Sequence, residues 1–233
     1  MFWTFVEPSQ VASGTVTIEG KPGHHLARVL RVRPGEHGVV VAAGREHQVE
    51  VVEVRGRAVI ARVTGERLVA SEPEVTITLW QAVLPNPDFD AVIENGTAVG
   101  IHRFVAIQAA RSVARPAATR LARWQSIAGS AAEQSHRGAV PDVMGPLPLA
   151  SALDAVSDGS RLLILDPGAS TPLARAADGS TAYTLAVGPE GGWTEEELTM
   201  MTRKGGARVN IGPRVLRARL AAVIAAAILV QQQ

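Results

Sequence analysis

A chain of 233 residues holds one large domain or two small ones, and its 46% hydrophobic and 19% charged content suits a globular protein. It has no cysteine, which excludes disulfides, a thiolate nucleophile and a Cys-ligated metal. The formal net charge of +1 singles out no class of partner. Lys occurs only at positions 21 and 204, however, so 21 of the 23 basic residues are Arg, the side chain better suited to bidentate phosphate contacts and base stacking.

Residues 1–70 read as a small all-β barrel domain. Met1 to Glu7 shows neither a basic stretch nor a long apolar core, so no signal peptide and a cytoplasmic location are expected. Residues 15–18 alternate, 39–41 are short and apolar, and 48–54 and 58–63 flank a hairpin signal at Arg55-Gly56-Arg57. Between them, 22–33 reads as one short helix. Leu26, Val29 and Leu30 share a face, and Arg28 and Arg31 are left for solvent or a ligand. Nine Lys/Arg stand against eight Asp/Glu over residues 1–72, so any basic patch there is local.

The polar stretch 64–74 reads as a linker. Residues 74–233 alternate strands with helices, which implies a mostly parallel sheet covered by helices. Strands are expected at 75–79, 103–107 and 162–165. Helices are expected from Asp88, a candidate N-cap, to near Gly100, from Thr119 to near Gly138 with Leu121, Trp124, Ala128 and Ala131 inward, and over 147–156. Between Ile101 and Val140 six arginines (103, 111, 115, 120, 123 and 137) are opposed only by Glu133, the footprint of an anionic polymer.

Two strand–loop–helix units close the chain. Residues 183–187 run into Gly188-Pro189-Glu190-Gly191-Gly192. Thr194 and Glu197 then form an S/T-x-x-E capping box for a helix that Gly205-Gly206 ends. A strand at 207–211 runs into Gly212-Pro213-Arg214-Val215-Leu216-Arg217 and an apolar helix. Its run from Leu220 to Val230 is 11 residues, against about 20 for a membrane span. Loops beyond the carboxyl ends of strands in an open α/β sheet bind ligands. Pro189 lacks an N–H and Glu190 is negative, and neither loop has a dinucleotide or Walker pattern. A neutral or cationic ligand therefore fits better than ATP or NAD.

These segments, in order from about residue 22 to 227, resemble the RsmE family of 16S ribosomal RNA uridine-N3 methyltransferases of the SPOUT superfamily. His24 to Arg31 resembles its H-x-x-R-V-L-R signature, and Arg111-Ser112 its E-R-S segment. Arg123-Trp124 to Glu133-Gln134-Ser135 resembles its R-W-x-x-I-x-x-x-A-x-E-Q-S helix. Gly188 to Gly192 is similar to its G-P-E-G-G motif, and Ile211 to Arg217 to its L-G-P-R-I-L-R motif. The resemblance implies a PUA-like, RNA-binding β-barrel over 1–70 and an α/β SPOUT domain with a C-terminal trefoil knot over 74–233. It also implies S-adenosyl-L-methionine as cofactor, 16S ribosomal RNA within the small subunit as partner, and a homodimer, with no metal and no membrane.

The cofactor is expected against Leu165, Asp166 and Pro167, against Gly188, Pro189, Glu190, Gly191 and Gly192, and against Ile211, Gly212, Pro213, Val215, Leu216 and Arg217. Candidate RNA contacts are His25, Arg28, Arg31, Arg33, Arg111, Arg115, Arg123 and Arg137. The chain departs from the family where Thr-Glu-Thr becomes Ala218, Arg219 and Leu220, where Lys-Gly-Asp becomes Asn86-Pro87-Asp88, and where Q-K-A-T-E-L-G becomes Glu94 to Gly100.

Uracil N3 is a poor nucleophile while protonated. A cation near O2 or O4 stabilises its anion, which makes Arg111 and Arg217 the catalytic candidates, with Glu133 the candidate general base. Two alternatives stand beside this: a SPOUT methyltransferase acting on another RNA or position, and an RNA-binding or ribosome-assembly protein without catalysis.

Overall fold

The computed structural model describes residues 1–114, 120–156 and 159–232. They form two compact units, Met1–Glu72 with Glu133–Ala139, and Pro73–Ala132 with Val140–Gln233. This division differs from 1–70 and 74–233 by the excursion of residues 133–139.

In the first unit, β1 (Phe2–Phe5), β2 (Val11–Ala12), β3 (Thr15–Ile18), β4 (His37–Ala42), β5 (Arg45–Arg55) and β6 (Ala58–Leu68) form one sheet ordered β1-β4-β5-β6-β3-β2. The β1–β4 pair is parallel and the others are antiparallel. Alternation puts Val16 and Ile18 inward with Val49, Val51 and Val59. Helix α1 (Gly20–His24) runs straight into a π-type turn over His25–Leu30, which ends at Arg31 in the left-handed region, φ 55°. The wider turn rotates the apolar face. Leu26 is buried as expected, but Val29 and Leu30 are 61% and 53% exposed, and Val32 is the next side chain inside.

The excursion is bonded into this unit. Glu133 Oε1 accepts from Thr4 Oγ1 at 2.7 Å, Trp3 Nε1 donates to the Arg137 carbonyl at 3.2 Å, and the Trp3 ring stacks on His136. Arg137 is 3% exposed and donates through Nε and Nη2 to Glu72.

The second unit is built on β7 (Thr76–Ala82), β8 (Arg103–Gln108), β9 (Asp142–Pro148), β10 (Arg161–Leu165), β11 (Ala182–Val187) and β12 (Ala207–Val209). They form a wholly parallel sheet ordered β12-β10-β11-β7-β8-β9. Helices α2 (Asp88–Ala98), α3 (Arg120–Gln134), α4 (Leu149–Asp154), α5 (Leu173–Ala176), α6 (Glu195–Arg203) and α7 (Ala218–Val230) complete it. Asp88 is the first helical residue of α2 and Pro87 the N-cap, one position off the expected cap. The Thr119 start expected for α3 lies outside the described residues. Phe89, Val92 and Ile93 of α2, Trp124 of α3 and Ala222, Ala225 and Ala226 of α7 share a core with Leu79, Leu163 and Leu185 of the sheet. Among the described residues no helix is long and apolar enough to cross a membrane.

Candidate functional site

Because β12, β10 and β11 are parallel neighbours, their carboxyl ends open on one side of the sheet. There the chain leaves β10 at Asp166, β11 at Gly188 and β12 toward Ile211, and the loop after β8 brings in Arg111. These segments enclose a cavity of about 490 Å³, within the range of about 300–1,000 Å³ usual for small-molecule sites. Of the expected cofactor residues, Leu165, Asp166, Pro167, Gly188, Pro189, Glu190, Gly192, Ile211, Gly212, Val215, Leu216 and Arg217 all line it. Gly191 and Pro213 do not. Gly191 faces Arg111, so that a Cβ there would meet Arg111 Cβ and Cδ at 3.4 Å, and Pro213 is exposed.

Backbone conformation explains the glycines. Gly192 has φ +69° and Gly212 φ +107°, where L side chains are strained. At Gly188 a Cβ would come within 3.3 Å of Gly192 C, Trp193 N and Trp193 Nε1, so a larger residue would have to push the loop back by a few tenths of an ångström.

Side chains that sequence reasoning missed also line the cavity, among them Trp193, Glu195, Arg208, Asn210 and Arg214. Arg208 holds Asp166 through Nε at 2.6 Å, and Asp166 Oδ1 accepts from Gly168 N at 2.9 Å, so this carboxylate is fully engaged. Asn210 Oδ1 accepts from Gly212 N at 3.0 Å, and its Nδ2 donates to the Ala169 carbonyl at 2.8 Å, which pins the third loop. Residues 208 and 210 alternate along one strand face, a period-two signal present in the sequence. Trp193 Nε1 is buried without a hydrogen-bond partner among the described residues.

This donor set suits an adenosyl sulfonium. Apolar walls from Leu165, Val187, Ile211 and Leu216 suit a base, and Glu190 and Glu195 set negative charge beside the arginines at 111, 208, 214 and 217. Pro189 has no N–H to offer a phosphate, and the Gly192 N–H is taken by the Pro189 carbonyl.

The candidate catalytic residues separate. Arg111 and Arg217 both line the cavity. Arg111 Nη1 donates to the carbonyls of Gly191 at 2.8 Å and Trp193 at 3.4 Å. Glu133 does not line it and instead accepts from Thr4 in the first unit, because α3 runs out of the second unit at its last turn. The candidate RNA contacts separate too. His25, Arg28, Arg31 and Arg33 are exposed, with no ion pair among the described residues. Arg123 is exposed but paired with Asp90 at 2.8 Å, and that hydrogen bond, then the charge of Asp90, raises the guanidinium pKa. Arg137 is corrected from a phosphate ligand to an interior side chain, since Glu72 takes its charge. Arg115 lies outside the described residues.

Comparison with known proteins agrees with this geometry. A family model described as an RNA methyltransferase domain matches residues 71–230. The ribosomal RNA small subunit methyltransferase E of Mycobacterium bovis is 33% identical over 231 residues, covering 95% of this chain and 88% of that protein. The protein of the same name from Synechocystis sp. is 31% identical, covering 95% of this chain and 75% of the relative. The crystal structure of a ribosomal RNA small subunit methyltransferase E from Neisseria gonorrhoeae bound to S-adenosyl methionine superposes with a TM-score of 0.91. It is 30% identical and covers 99% of this chain and 97% of its own. With a glycine-walled cavity at the ends of a parallel sheet and likeness over nearly its whole length, the chain belongs to the ribosomal RNA small subunit methyltransferase E family of RNA methyltransferases.

Proposed function

We propose that this protein uses S-adenosyl-L-methionine to methylate N3 of a uridine in 16S ribosomal RNA of the small subunit, in the cytoplasm. The observation that carries the reading is the cavity of about 490 Å³, walled by two glycine loops and by arginines. Backbone groups of 188–192 and 211–217, with Leu165 and Pro167, would hold the cofactor, which supplies a methyl group on a cationic sulfur. The remaining work falls to the chain. N3 of uracil attacks only after its proton has passed to solvent water, and the resulting charge spreads onto O2 and O4. Arg111 and Arg217 present guanidinium donors to that charge. The carbonyls of Gly191 and Trp193 orient Arg111 through Nη1, leaving Nε and Nη2 for a ligand. Glu133 has no part in this scheme, because its carboxylate is bonded to Thr4.

The first unit would be a PUA-like barrel that offers His25, Arg28, Arg31 and Arg33 to RNA. The second would be a SPOUT domain with a trefoil knot. Support for the knot comes from the path of the chain, which leaves the edge strand β12, rounds the cavity through 211–217 and re-enters the interior as α7 against α2, β7 and β11. A homodimer is favoured by α7 itself. Its sequence is apolar nearly all round, yet Leu220 is 48% exposed and Val223, Ile224, Ala227 and Ile228 are only half-buried. Sedimentation should therefore give a dimer at micromolar concentration, and a monomer alone would count against it.

Calorimetry with S-adenosylmethionine, followed by mapping of methylated nucleotides in 16S RNA with and without the gene, tests the whole reading. Binding together with loss of one N3-methyluridine is the expected result. No cofactor binding even with RNA present would leave the RNA-binding alternative in its place.

A further inference from the structure

Glu197 is a buried carboxylate, 5% exposed, that does more than cap a helix. Its Oε2 accepts from Thr194 N at 2.8 Å, and Glu197 N donates to Thr194 Oγ1 at 3.2 Å, which completes the capping box of α6. The box needs only one carboxylate oxygen. The other, Oε1, accepts from the backbone N–H of Ala110 at 2.8 Å, 87 residues away in sequence. Ala110 precedes Arg111, whose Nη1 reaches the Gly191 and Trp193 carbonyls. The loop after β8 is thus tied at two consecutive residues, its Ala110 backbone to Glu197 at the start of α6 and its Arg111 side chain to the cofactor loop and Trp193. Arg111 is exposed, so its own bonds hold it weakly, whereas the Ala110 N–H is held by a buried carboxylate in a charge-assisted bond. Displacing a catalytic group by about 1 Å is enough to cost about 10²-fold in rate.

We propose that Glu197 is a positioning residue for methyl transfer, fixing the Ala110–Arg111 backbone so that the guanidinium meets the developing charge on the base. This rests on the role proposed above for Arg111.

The test is a double-mutant cycle read by single-turnover methylation of small subunits that lack the methyl group. Glutamine has one acceptor oxygen where glutamate has two, so Glu197→Gln keeps only one of the two backbone bonds. The expected result is a rate lowered about 10–10²-fold, with KM for S-adenosylmethionine changed far less. In an Arg111→Ala background the same substitution should cost less than about twofold, because coupled sites are not additive. Thr194→Ala weakens the cap but leaves the Ala110 bond, and should lower Tm without lowering the rate. An equal loss from Glu197→Gln in both backgrounds, or a Thr194→Ala rate as low as that of Glu197→Gln, would make Glu197 a cap only and overturn the inference while the Arg111 reading stands. An undiminished rate for Arg111→Ala would overturn both, and a wild-type protein without methyl transfer would overturn the enzyme reading itself. Should Glu197→Gln not fold, Ala110→Pro removes the same N–H from the other side and must reproduce the loss, and full activity in that variant overturns the inference.

Discussion

The three glycines of the 188–192 loop act by different means, and substitution should separate them. Gly192, at φ +69°, is strained by any side chain, at a cost of about 1–3 kcal/mol. Gly192→Val should therefore lower cofactor affinity about tenfold or more in calorimetry while the protein stays folded. Gly191 has Arg111 as its neighbour, so Gly191→Val should depress the single-turnover rate more than the affinity. The departures at 218–220 also divide by residue. Ala218 lines the cavity, and Ala218→Thr restores a hydroxyl there. One hydrogen bond is worth about 0.5–1.5 kcal/mol, so affinity should rise about 2–13-fold, and an unchanged value would make the departure neutral toward the cofactor. Arg219 instead reaches Asp88 Oδ1 at 2.7 Å, so the residue that replaces the family's glutamate has found a partner on α2. Arg219→Glu would set two carboxylates together and should lower Tm without changing cofactor affinity.

Among the elements, those with a local cause were legible. The α6 cap was readable from Thr194 and Glu197, and its end from Gly205-Gly206, because caps are set within one turn. The cofactor loops were readable because glycine and proline constrain the backbone wherever they occur. β9 was missed because Gly145, Pro146 and Pro148 break its pattern, and it survives only as an edge strand, where proline is tolerated. α5 is four residues long, too short to show a helical period. The π-type turn at 25–30 defeated a 3.6-residue count and left Val29 and Leu30 outside. The return of 133–139 to the first unit could not be read at all, since it depends on Glu72, 65 residues before Arg137. That pair gives a stability test. Arg137→Ala takes the guanidinium away from a carboxylate that is only 23% exposed and keeps the Gly138 N–H. Breaking a buried pair costs about 3–5 kcal/mol, and the partial exposure of Glu72 puts the loss toward the lower end. Denaturation should show it, and Glu72→Gln in the same chain should recover part of it.

For the molecule as a whole, a net charge of +1 conceals where an anionic polymer could be held. Four of the six arginines between Ile101 and Val140 are engaged within the protein. Arg103 is paired with Asp142, Arg123 with Asp90 and Arg137 with Glu72, while Arg111 belongs to the cavity. A guanidinium already paired with a carboxylate brings less net charge to a phosphate than a free one. Arg28, Arg31 and Arg33 have no ion pair among the described residues, and Arg28 and Arg31 flank the exposed Val29 and Leu30, a surface that can meet both backbone and base. Binding to a 16S RNA fragment should weaken steeply as salt rises. Each phosphate contact on a single strand contributes about 0.7 to the slope of log K against log salt. Arg28→Ala with Arg31→Ala should therefore flatten the slope by up to about 1.4, uniformly across RNA sequences. Arg123→Ala should leave the slope nearly unchanged, since its charge is already met by Asp90. Fluorescence anisotropy between about 50 and 200 mM salt resolves such differences. If the Arg123→Ala slope flattens and the Arg28, Arg31 double variant keeps the wild-type slope, the RNA lies against the arginine-rich stretch of the second unit and the π-turn helix is solvated surface.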